Sequence, residues 1–158
     1  MREGLVLFIK TQRGKGQALV ETALVFLFFM LLVFGTIDFG RLFFVRMTMQ
    51  HALRVAGRYA ATGNHLTSSQ GAILSRTNSI LQVAQQNAMG LPITSIQFTS
   101  QNFGSGSAGG PGDTETLAVS TNVRLLTPLI SRFFSNGVYH FNTSVVYRNE
   151  PFPPSQAD

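Results

Sequence analysis

The sequence predicts an α+β protein in which a long N-terminal transmembrane and stalk helix carries a second helix packed on a three-stranded antiparallel sheet. Three observations predict it. Residues Ala18–Ile37 form an apolar stretch of membrane length with a single acid, Glu21. Helical spacing of apolar residues then continues, with no proline, to Thr62. Beyond that point, apolar residues alternate in three separate segments, as strands with one buried face require. The expected organisation is a leader over residues 1–16, a transmembrane and stalk helix over 17–62, and an extracytoplasmic α+β head over 63–158.

The membrane segment comes first. From Thr22 to Ile37 no residue is charged, and Ala18–Val20 extend the run past Glu21. A span needs roughly 20 apolar residues, so the stretch fits if Glu21 lies near one interface. A cleaved secretory signal has a shorter apolar region ending at a small-x-small site. Here the run ends in Gly35-Thr36-Ile37-Asp38 and continues as an amphipathic helix. A carboxylate within the bilayer costs about 3 kcal/mol or more unless it is matched. Glu21 has two readings by position alone. It snorkels to the headgroups from the first helical turn, where the helix dipole favours an anion, or it pairs with a cation from another chain.

In the stalk, Leu42, Val45, Met49, Ala52, Leu53, Ala56 and Ala60 share one face. Arg46, Gln50, Arg54 and Arg58 line the opposite one, and a solvated face explains them most simply. At 1.5 Å per residue the helix would be roughly 70 Å long, of which the bilayer core takes about 30 Å. Gly63-Asn64 supplies C-cap chemistry. Thr67-Ser68-Ser69-Gln70 has capping-box spacing, so a second helix is expected over 67–89, with Ile73, Ile80 and Ala84 inward. Strands are expected at about 93–99, 115–126 and 138–148. The glycine-rich run 104–112 reads as a flexible loop, Pro128–Phe134 as a short helical turn with Phe133-Phe134 plugging the core edge, and Pro151–Pro154 as a loose tail.

Composition removes several function classes. There is no cysteine, hence no disulfide, thiolate metal site or cysteine nucleophile. The net charge is +5, but four basic residues and one acid lie in 1–16, so the remainder carries only +2. No basic cluster interleaved with aromatics remains to bind nucleic acid. His51, His65 and His140 lack companions at metal-ligand spacing. Asp113 and Glu115 are the one carboxylate pair, set in a glycine-rich region with nothing rigid expected around them. No nucleophile-elbow or phosphate-loop sequence occurs. The expectation is a protein with no catalytic residues and no cofactor. Asp38 reads as an acid at the outer membrane interface, within helical reach of Arg41 or Arg46.

A resemblance sharpens this. Basic residues precede Gly16-Gln17-Ala18, then come Val20-Glu21-Thr22-Ala23-Leu24, Gly35-x-x-Asp38-x-Gly40-Arg41 and Ala52-x-x-x-Ala56-x-x-Tyr59-Ala60. Together these residues, over roughly 13–62, resemble the TadE-like pseudopilins, minor components of tight-adherence (Flp-type) type IVb pilus systems. Leu27 stands where that family often has proline, and the mature chain would begin with Gln17 instead of phenylalanine. The resemblance implies cleavage between Gly16 and Gln17 by a prepilin peptidase, which makes Glu21 the fifth residue. It implies assembly through Glu21 with the new N-terminal amine of a neighbouring pilin, and contact with a pilus assembly platform. It also implies the bacterial inner membrane, with the N-terminus cytoplasmic and the head periplasmic or extracellular. Basic residues flank the span equally, four on each side, so charge does not set that orientation. The competing function is an uncleaved bitopic membrane protein whose head binds an envelope partner or ligand.

Overall fold

The computed structural model describes residues 13–93 and 95–153, without the side chains of 13–15 and 129. The leader's apolar patch Leu5–Ile9, its basic residues Arg2 and Lys10, and Pro154 lie outside the described residues.

Helix α1, Arg13–Ala61, is continuous for 49 residues. Its N-terminal half is apolar and exposed, from Leu19 to Phe29. Its C-terminal half buries Val45, Met49, Ala52, Leu53, Ala56 and Ala60 in the core. Arg46, Arg54 and Arg58 face solvent, as the helical spacing requires. The small residues on the buried face admit close neighbours: a Cβ on Gly57 would stand 3.4 Å from the Tyr147 ring. The helix ends where Gly63 takes φ +68°, its N–H bonding the Ala60 carbonyl. A side chain there would run into the ring of Phe152, which is buried. The tail is therefore docked as far as Phe152, contrary to the loose tail expected.

The second helix is shorter than its spacing suggests. α2 runs Arg76–Gln86, capped by Ser75, whose hydroxyl accepts from the Asn78 amide. Residues 67–73 instead form a small hairpin: Ser68 and Ala72 bond through their backbones, Thr67 pairs with Ile73, and Gly71 turns at φ +81°. The apparent capping box at Thr67–Gln70 is a turn, and Ile73 is exposed instead of inward. Ile80, Val83 and Ala84 do face the core.

The sheet has four strands, not three. β1 (Gln97–Ser100), β2 (Gly104–Ser105), β3 (Thr114–Arg124) and β4 (Val138–Arg148) form an antiparallel sheet in the order β2-β1-β3-β4. The additional strand is a two-residue hairpin return inside the glycine-rich run. The β3–β4 ladder is the longest, with eleven pairs from Thr114↔Arg148 to Arg124↔Val138. Leu117, Val119 and Val123 point from β3 into the core; α1 lies across that face, and α2 packs on α1 and adds Ile80, Val83 and Ala84 to the same core, where a second helix packed on the sheet was expected. Between β3 and β4 lie α3, Pro128–Ser131, and a 3-10 turn, Ser135–Gly137. Phe133 does not plug the core: it is 84% exposed.

Candidate functional site

Three places along the chain hold the residues singled out by sequence. The first is the start of α1. Gly16 and Gln17 are exposed and helical, and nothing lies within 4 Å of a Cβ built on Gly16. The segment is thus open to solvent and part of a helix. Glu21 is exposed in the next turn and makes no hydrogen bond or ion pair among the described residues. The hydroxyls of Thr22 and Thr36 bond back to the carbonyls of Ala18 and Leu32 at 2.8 Å. These threonines are satisfied within their own helix, as a lipid environment demands.

The second place is the junction between α1 and the sheet. Asp38 is 3% exposed. Its Oδ1 accepts the Leu126 N–H and its Oδ2 the Thr127 N–H, both at 2.8 Å. These amides lead into α3, whose first residue is a proline. The carboxylate thus satisfies backbone donors at the end of β3, and does not pair with Arg41 or Arg46. Arg41 donates instead to the Arg124 carbonyl, at 3.3 Å. Just below, Gly35 faces Ile130, whose Cδ1 lies 3.5 Å from where a Cβ would be. One turn of α1 and one chain reversal are therefore fastened by two charge-assisted hydrogen bonds and an apolar contact. Asp38→Ala leaves two amides without acceptors in a buried site, at a cost of about 1–3 kcal/mol. The expected result is faster tryptic cleavage after Arg124 and Arg132 of the folded protein, roughly tenfold for each 1.4 kcal/mol lost. Unchanged cleavage would show that the clasp does not hold the loop.

The third place is a buried polar cluster. Arg76 is fully buried at the start of α2. It donates to the carbonyls of Gly109 (2.5 Å) and Ala60 (2.8 Å) and to Oδ1 of Asn149 (2.8 Å). Its guanidinium lies 4.7 Å above the centre of the Phe152 ring. Asn149 in turn donates to the carbonyls of Ala108 and Gly110. The glycine-rich run is thus tied down at 108–110 and buried, contrary to the flexible loop expected. Asp113 accepts from Ser100 Oγ, Asn102 Nδ2 and the Thr114 amide. Burial works against its charge, but these hydrogen bonds prevail and hold its carboxyl below the usual range. Glu115 is completely buried and neither carboxylate oxygen has a hydrogen-bond partner. Burial pushes it up to about 7; Asp113 adds to the rise, while the Ser100 hydroxyl and Arg76 offset part of it. Gly109 packs directly on that carboxylate at φ +64°, leaving no room for a side chain.

This arrangement ties α1, α2, the glycine-rich loop and the segment after β4 together. The pair Asp113 and Glu115 is enclosed by chain on all sides, and among the described residues no three potential metal ligands come together. His65 meets the Leu74 carbonyl and His140 meets Asn122, while His51 is exposed elsewhere on α1. Sequence reasoning missed Arg76, Asn149 and the burial of Glu115. One signal was available: Glu115, near the start of β3, and Asp113, just before the strand, continue the inward alternation of Leu117 and Val119.

α1 is long and apolar enough to cross a membrane, carries an acid without a partner among the described residues in its apolar part, and is bonded through a second acid to a small α+β head. The family comparison points the same way: residues 16–58 match the model of TadE-like proteins, so this stretch of α1 is similar to the helix of that family. That family is a structural, membrane-associated one connected with tight-adherence pili. No curated protein and no solved structure matches the chain.

Proposed function

We propose that this protein is a minor pseudopilin, a membrane-anchored structural subunit required to assemble a tight-adherence pilus. A prepilin peptidase cuts it between Gly16 and Gln17 on the cytoplasmic side of the bacterial inner membrane. The head, residues 63–158, then stands on the periplasmic or outer side. Glu21 meets the terminal amine of a neighbouring pilin through the apolar half of α1, and Asp38 with Arg41 seats the head at the outer interface. One observation carries the reading. The apolar surface from Leu19 to Phe34 is almost entirely exposed, and Glu21 sits within it without a partner among the described residues. A buried carboxylate becomes tolerable when a second chain brings a cation to it.

The N-terminal residue of the protein recovered from membranes tests this. Gln17, or its cyclised form, is expected; Met1 in the functional pool overturns it. Glu21→Ala is expected to insert normally and lose pili, and pili at the normal level would return Glu21 to a headgroup-facing role. The second reading, an uncleaved bitopic protein with a partner-binding head, is favoured by the unbroken helix through Gly16, which a peptidase must open. Its mark is Met1 on the working protein.

A further inference from the structure

We infer that the β3–β4 connection, residues 125–137, is a second membrane-contacting element that lies in the outer lipid interface beside α1. The inference rests on the reading of α1 as a span. Ala18–Ile37 is the stretch that fits the bilayer, and Ile130 packs against Gly35, two residues inside its outer end. α3 therefore lies at the depth of the span's last turn, not above it. Its surroundings suit that depth. Phe133 is 84% and Leu126 57% exposed, large apolar groups that water would otherwise cover. Phe39, Phe43 and Phe44 are exposed on the adjoining stretch of α1. They continue the apolar surface of the span through the interfacial zone that aromatics favour. Arg41, Arg124 and Arg132 are exposed around the same patch. A cationic rim on an apolar wedge matches acyl chains below and anionic phosphates above. The occupant is thus the lipid surface itself, reached by continuity with the helix that already lies in it. The Asp38 clasp holds the wedge at that height.

The chain has no tryptophan, so single-tryptophan variants report position directly. Full-length Phe133→Trp, Leu126→Trp, Phe29→Trp and Val146→Trp would each be reconstituted into vesicles of phosphatidylethanolamine and phosphatidylglycerol. Lipids brominated at shallow acyl positions are the quencher for 126, 133 and 146, and lipids brominated near the chain ends are the quencher for 29, which lies about 12 Å below Ile37. Val146 is exposed on β4 next to Val145, which touches Gly57, about 30 Å along α1 from Ile37. The expected result is strong quenching and blue-shifted emission at 133 and 126, quenching at 29, and none at 146. Quenching at 29 but not at 133 or 126 overturns this inference and leaves the span intact. No quenching at 29 overturns the span, and with it both readings. Emission at 133 that is shielded without quenching, and rises with protein density, assigns the wedge to a second copy and overturns the lipid assignment.

Discussion

Replacing Arg76 with leucine is expected to unfold or severely loosen the head. The substitution removes the donors to three buried acceptors: the carbonyls of Gly109 and Ala60 and the side chain of Asn149. It also removes the cation nearest the buried Glu115. Taking away one partner of a buried charged set costs about 3–5 kcal/mol, a large share of the stability of a small domain. The three acceptors belong to α1, the 108–110 loop and the segment after β4, so the loss is felt across the whole head. Denaturant unfolding of the full-length protein in detergent micelles would read it, with Arg54→Leu on the exposed face of α1 as the control. A loss under about 1 kcal/mol, the scale of an exposed ion pair, would show that Arg76 is not the keystone of the cluster. The double variant Arg76→Leu with Glu115→Leu is expected to recover part of the loss, because it no longer leaves an acid alone.

The second large effect depends on pH. Glu115 has its pKa raised from 4.5 to about 7 by burial. A group raised in this way binds its proton more tightly in the folded state. Below about 4.5 it is protonated in both states and costs nothing. Between 4.5 and 7 the unfolded chain ionises first, and stability falls as pH rises. Above 7 the penalty is complete, at up to about 3 kcal/mol on the scale of 1.4 kcal/mol per unit. The head should therefore be more stable near pH 5 than near pH 8. Asp113, shifted the opposite way, contributes stability that is lost only as pH falls into the acid range, so it leaves this window flat. Tyr147, raised by burial and by Glu115, acts only above it. Glu115→Gln is expected to flatten the profile between pH 5 and 8. A wild-type profile flat across that window, or a slope that survives in Glu115→Gln, would place the titration elsewhere.

The elements built on regular periods were legible in the sequence. The long apolar helix was read at 17–62 and stands at 13–61. The third expected strand, 138–148, matches β4 at both ends because its alternation is bounded by turns. α2 began later than expected because a serine-rich segment can satisfy its amides in a turn as well as in a cap. Ser68 does the first and Ser75 the second. The site was less legible. Asp38 stood out as an acid at an interface, but its partners lie 88 and 89 residues away in sequence, and no local spacing encodes them. Arg76 is one of several polar residues in the second helix, and nothing in their spacing sets it apart. Its burial follows from the path of the glycine-rich loop, whose course depends on the completed sheet.

The clasp at Asp38 also determines how the molecule bears mechanical load. Counting from the N-terminal end, Asp38 is the first residue of α1, among those whose side chains are described, that the rest of the chain buries. Tension applied along α1 would be handed to the sheet there, through a carboxylate and two amides, before it reaches any greasy contact higher up. Because those amides close the end of β3, the strain passes into the eleven-pair ladder with β4, the best-braced part of the molecule, and not into the small hairpin at 67–73.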